Sequence, residues 1–129
     1  RPDGMILGYP VITAGKYADH DSIENLAGSD DPGWYSLETQ VTADTPPAFF
    51  WHTVTDPEVP VQNSLLLADA LSAAGVRYEM HLYPRGVHGL SLATPEVEEP
   101  EKHRVADPHI AGWFGQCLEW LDILKTTKE

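Results

Sequence analysis

The chain has 129 residues, 42% of them hydrophobic, which suits one compact unit; a domain of roughly 150 residues buries about two-thirds of the surface its unfolded chain exposes. A formal net charge of −12 and a pI near 4.7 repel phosphate backbones and anionic lipid, so neither a nucleic-acid nor a membrane partner is expected. No apolar run nears the roughly 20 residues that cross a bilayer, and a single cysteine, Cys117, excludes an internal disulfide or a cysteine-based zinc site.

That cysteine usage favours a reducing compartment, and a cytoplasmic location is the expectation. The chain opens on Arg1-Pro2-Asp3 with no basic-then-apolar leader, as a trimmed product would, which leaves an upstream targeting segment open.

The first predicted element is a strand, Met5-Ile6-Leu7-Gly8-Tyr9. Residues 11 to 47 are long and irregular; Asp21-x-x-Glu24 suits the cap of a short helix, and Trp34 to Val41 suits another. Ala48-Phe49-Phe50-Trp51-His52-Thr53-Val54 is the second strand. Both strands are apolar at nearly every position, as expected of parallel strands covered on two faces. A helix follows, with Pro60 at its start, Leu65, Ala68 and Leu71-Ser72 at helical spacing, and Gly75 as its stop. Tyr78 to Tyr83 is a third strand of more alternating character. Strand, helix and strand within about 35 residues make a βαβ unit with a right-handed crossover.

Pro95 to Glu101 reads as an acidic, solvated loop. In the last helix Asp107-Pro108 supplies an N-cap and a first-turn proline. Ile110, Trp113, Phe114, Cys117, Leu118, Leu121 and Leu124 then recur at three- and four-residue steps, a stripe that packs on a sheet face. Cys117 lies on it, as a small buried hydrophobe and not a reactive thiol.

Two residues carry the chemistry. Asp56 stands just past the second strand, and His88 just past the third, in Gly86-Val87-His88-Gly89. Both fall at the carboxyl edge, where open α/β sheets place their ligands. Hydrolases with a Ser, Asp and His triad on such a sheet deliver the three in that chain order, and the last two are here in that order. Taken alone, Asp56 before Pro57 equally suits a turn residue capping the next helix, and His88 a loop histidine.

The run Pro46-Pro47-Ala48-Phe49-Phe50-Trp51-His52-Thr53 through Asp56-Pro57-Glu58-Val59-Pro60-Val61-Gln62-Asn63-Ser64 resembles α/β-hydrolases of the acetyl esterase and acetyl xylan esterase-like group. Gly75-Val76, Tyr83 and Gly86-Val87-His88-Gly89-Leu90 continue the resemblance in register, Gly8 to Ile12 is similar to the strand after the nucleophile-bearing unit, and Trp113 to Leu121 to the final helix. The resemblance implies a partial α/β-hydrolase fold of about three parallel strands flanked by helices, with residues 1–129 as the C-terminal portion of one such domain. It implies that Asp56 and His88 are the acid and base of a triad: His88 takes the proton of a serine and passes it to the leaving alcohol, and Asp56 holds the imidazole.

The family's His-Gly-Gly oxyanion loop and Gly-x-Ser-x-Gly elbow are both missing from these residues. Gly89-Leu90-Ser91-Leu92-Ala93 comes nearest to the elbow but lacks its second glycine and joins no strand to a helix, so Ser91 is not expected to be a nucleophile. The chain alone is therefore expected to be inactive.

His20, Trp34 and His52 are candidates to line an acyl or sugar pocket, against structural or surface roles for each. Trp51 and Trp113 suit the core. No His-Glu-x-x-His or comparable spacing points to a metal, and no cofactor is expected. The expected partners are a small ester, an acetylated carbohydrate among them, and either the absent N-terminal portion or a second copy on the open edge at Met5 to Tyr9. Three functions stay in play: an esterase, a prolyl oligopeptidase-type peptidase, and a non-catalytic α/β module.

Overall fold

A computed structural model describes residues 1–126. Three parallel strands, β1 (Met5–Gly8), β2 (Ala48–Thr53) and β3 (Tyr78–Tyr83), form one sheet in the order β1-β2-β3. Met5 pairs with Ala48 and Gly8 with Trp51, while Ala48 pairs with Tyr78 and Thr53 with Tyr83. Among the described residues four α-helices accompany the sheet: α1 (His20–Ala27), α2 (Gln62–Ala73), α3 (Pro108–Ala111) and α4 (Trp113–Thr126). This is the α/β arrangement expected from the sequence.

Side chains alternate across a strand, and the two faces of β2 feed two cores. Ala48 and Phe50 pack with Leu67, Ala68 and Leu71 of α2. Phe49 and Trp51 pack with Ile110, Cys117 and Trp120 on the opposite face. The Trp51 and Trp113 rings stack at 5.3 Å, and burial pushes the Cys117 thiol pKa up, reinforced by the charge of Glu79. All six residues of β2 are buried. β1 differs from expectation: Ile6 and Gly8 are exposed, because among the described residues β1 pairs with β2 alone and lies at the edge.

The helices follow their end signals more closely than their apolar ones. Gly75, at φ +72°, ends α2 as a Schellman turn, with Val76 N–H donating to Leu71 O and Gly75 N–H to Ser72 O. Its buried stripe, however, is Asn63, Ser64, Leu67, Ala68 and Leu71, while Leu65 is exposed. Asp107 caps α3 by accepting from His109 N and Ile110 N. Gly112 then separates α3 from α4, and Phe114 and Leu118 of the expected stripe face outward at 47% and 49% exposure.

Trp34 to Val41 is no α-helix but two short 3-10 turns, Pro32–Tyr35 and Leu37–Thr39; Pro32 and Gly33 favour the tight turn and Asp31 caps it. The acidic excursion likewise contains two, Pro95–Val97 and Pro100–Lys102.

Candidate active site

The two loops that leave the carboxyl ends of β2 and β3 meet. Gly86 O accepts from the hydroxyls of Thr53 and Thr55 at 3.1 and 3.0 Å, and Gly86 N–H donates back to Thr55 Oγ1. These bonds bring Asp56 and His88 together across 32 positions of chain: His88 Nδ1 lies 2.7 Å from Asp56 Oδ2. Since an ionised carboxylate only accepts, Nδ1 carries the proton. Nε2 has no hydrogen-bond partner among the described residues, and the His88 side chain is 18% exposed. The imidazole therefore presents a basic nitrogen outward.

Two contacts hold that ring and its backbone. Tyr9, immediately after β1, meets the His88 ring edge-on at 4.8 Å. Arg104 Nε–H donates to His88 O at 2.8 Å, and its Nη1 reaches Glu99 Oε1 at 3.0 Å. Lys102 and Arg104 together hold the Glu99 carboxyl below its ordinary pKa.

Asp56 is buried but well supplied with donors. Oδ1 accepts from the backbone N–H groups of Glu58 and Val59, each at 2.9 Å. Oδ2 faces two imidazoles, His88 at 2.7 Å and His52 Nε2 at 3.4 Å. Burial pushes the carboxyl upward, yet the bonds from His52, His88, Val59 and Glu58 outweigh it and hold Asp56 well below the usual carboxylate range. The aspartate stays ionised at neutral pH.

His52 is not where a pocket residue belongs. Its side chain is fully buried on the α2 face of β2, with Nδ1 2.7 Å from Ser64 Oγ and Nε2 2.8 Å from Val59 O, so no ligand reaches it. His20 is exposed at the start of α1, and Trp34 is 73% exposed in the first 3-10 turn; neither hydrogen-bonds to Asp56 or His88 nor stacks on His88. Ser91 sits at φ +54° in a turn that does not join a strand directly to an α-helix, and its carbonyl accepts from Trp113 Nε1.

Ser64, Arg104 and Tyr9 escaped the sequence reading. Only Ser64 left a signal: Asn63 and Ser64 are polar residues at inward positions of a helix that otherwise buries Leu67, Ala68 and Leu71. Asn63 uses its own inward position to tie the segment after β1 to α2, accepting from Ile12 N and Thr13 N and donating to Tyr17 O.

Residues 11–120 match the prolyl oligopeptidase family. The chain belongs to that family. Its solved relatives have the α/β-hydrolase fold. An acetyl ester-xyloside bifunctional hydrolase from Caldicellulosiruptor lactoaceticus is 37% identical with a TM-score of 0.80, over 97% of this chain and 43% of its own length. A carboxylesterase from Lactobacillus plantarum is 33% identical with a TM-score of 0.84, over 95% of this chain and 44% of its own. Endo-1,4-beta-xylanase B of Butyrivibrio fibrisolvens is 46% identical over 100 residues, 74% of this chain and 16% of that protein. The chain thus spans less than half the length of each of these relatives. Among the described residues, no helix is long and apolar enough to cross a membrane.

Proposed function

We propose that this chain supplies the acid and base of a serine carboxylic-ester hydrolase acting on short-chain esters, acetylated sugars above all. The observation that carries the reading is the 2.7 Å bond from His88 Nδ1 to an ionised, buried Asp56, with Nε2 left unbonded toward solvent. In that reading Nε2 takes the proton of an attacking serine and returns it to the departing alcohol, while Asp56 stabilises the imidazolium. The relatives' names, acetyl ester-xyloside hydrolase and carboxylesterase, favour ester substrates carried on sugars.

Among the described residues no serine is hydrogen-bonded to His88. Ser64, His52 and Asp56 do repeat the connectivity of a triad, but Ser64 Oγ is spent on a fully buried imidazole and out of reach of any substrate. The nucleophile and the oxyanion donors come, in this reading, from residues outside the present sequence, docked on the open edge of β1. The 129 residues alone then hydrolyse 4-nitrophenyl acetate no faster than free imidazole, since both large contributions to rate are missing.

The test is labelling of the full reading-frame product with a fluorophosphonate, together with 4-nitrophenyl acetate turnover before and after His88→Ala. The expected result is one labelled serine outside these residues and loss of turnover by roughly 10³-fold or more. Unchanged turnover in the variant would remove the esterase reading. The family name favours a peptidase as the second reading; cleavage of proline-containing peptide anilides in preference to acetyl esters would establish it instead.

A further inference from the structure

A fully buried histidine with both ring nitrogens engaged, lying against the carboxylate of the proposed acid, calls for an account of its own. His52 joins three pieces of chain. Its ring rises from the end of β2. Nε2 reaches Val59 O at 2.8 Å in the loop that carries Asp56, and Nδ1 reaches Ser64 Oγ at 2.7 Å in the first turn of α2. A carbonyl oxygen only accepts, so Nε2 carries a proton. That N–H also lies 3.4 Å from Asp56 Oδ2, the oxygen that His88 uses.

Val59 closes the circuit. Its carbonyl accepts from His52 while its own N–H donates to Asp56 Oδ1 at 2.9 Å. The Asp56 carboxylate is thereby fixed at both oxygens by groups that do not move with one another unless β2, the loop and α2 move together. A carboxylate held only by its loop would rotate about its side-chain torsions, and a displacement of about 1 Å costs up to roughly 10²-fold in rate.

We propose that His52, set by Ser64, is the positioning residue that aims Asp56 Oδ2 at His88 Nδ1. It touches no substrate and acts through Asp56. This rests on the reading of Asp56 and His88 as acid and base, but the geometric half of it does not need turnover to be seen.

The test uses the full reading-frame product labelled with 15N-histidine and three variants, His52→Leu, His52→Gln and Ser64→Ala. His52→Leu keeps an apolar side chain of useful bulk and removes both ring bonds; His52→Gln restores an N–H donor toward Val59 O. The expected outcome for His52→Leu is an Nδ1–H resonance of His88 that moves upfield or exchanges away. With 4-nitrophenyl acetate, kcat falls by roughly 10- to 100-fold while KM stays within about twofold, and His52→Gln recovers part of both signals. Ser64→Ala, which leaves the ring in place and is the milder change to the fold, shifts the same resonance in the same direction. An unmoved His88 Nδ1–H in a folded His52→Leu protein, or in Ser64→Ala if the leucine variant does not fold, overturns the proposal. Full activity in His88→Ala, together with a His88 resonance that responds as described in the His52 and Ser64 variants, would instead remove the esterase reading and leave the positioning contact standing.

Discussion

Gly89 follows the proposed base, and replacing it tests whether Arg104 holds that loop. Gly89 has φ +81°, and a Cβ built there would lie 2.6 Å from Arg104 Cζ and Nη2 and 2.8 Å from Nε. Left-handed backbone costs a residue with a Cβ about 1–2 kcal/mol. The guanidinium is the end of a flexible side chain and can swing aside, but doing so breaks the 2.8 Å bond to His88 O, a charge-assisted bond worth about 1.5–3 kcal/mol. Gly89→Ala is therefore expected to destabilise by about 2.5–5 kcal/mol, and Arg104→Ala by about 1.5–3 kcal/mol. With Arg104 already gone, only the backbone strain remains. The double variant should then sit close to Gly89→Ala alone, about 2.5–5 kcal/mol below the parent. Equilibrium urea unfolding followed by tryptophan fluorescence measures all three. Additive effects, within about 0.5 kcal/mol, would refute the steric link between the two residues.

The ionised Asp56 makes stability depend on acid pH. Its folded pKa lies below its unfolded value of about 3.9, so its contribution is complete above that pH and is lost as pH falls through the folded value. Urea midpoints taken from about pH 6 down to about pH 2 should show Asp56→Asn well below the parent at the upper end and the gap narrowing below about pH 4; a constant gap would contradict the assignment. In the core, Leu71→Ala removes a side chain with 0% exposure from the α2 face of the sheet, an expected loss of about 2–5 kcal/mol. Asp107→Ala removes the α3 cap and should cost about 1 kcal/mol by the same unfolding assay.

The three strands and the two longer helices could be read from neighbouring residues because their signals are local. A run apolar at nearly every position, such as Ala48 to Thr53, has one stable home, a strand covered on both sides. Gly75 and Asp107-Pro108 act within their own turns, and both ends fell where expected. The order of Asp56 and His88 after successive strands likewise followed from chain order and family resemblance. The misreadings share a cause. Leu65, Phe114 and Leu118 have the right periodicity but face outward, because which arc of a helix is covered depends on the sheet beside it. Trp34 to Val41 was expected to form a short helix, yet Pro32, Gly33 and the Asp31 cap give tighter 3-10 turns.

Nearby residues alone marked where the strands begin, where α2 stops, and that an aspartate and a histidine lie past successive strands. The sequence placed His52 as a pocket candidate because it falls near a strand end, and nearby residues do not say what covers it there. Only the folded chain decided that α2 covers that face, that Ser64 meets His52 there, and that Arg104 grips the His88 backbone across 16 positions. Local torsions and turn chemistry belong to a few consecutive residues, whereas the partner of a buried polar group is whichever distant segment packing brings within about 3 Å.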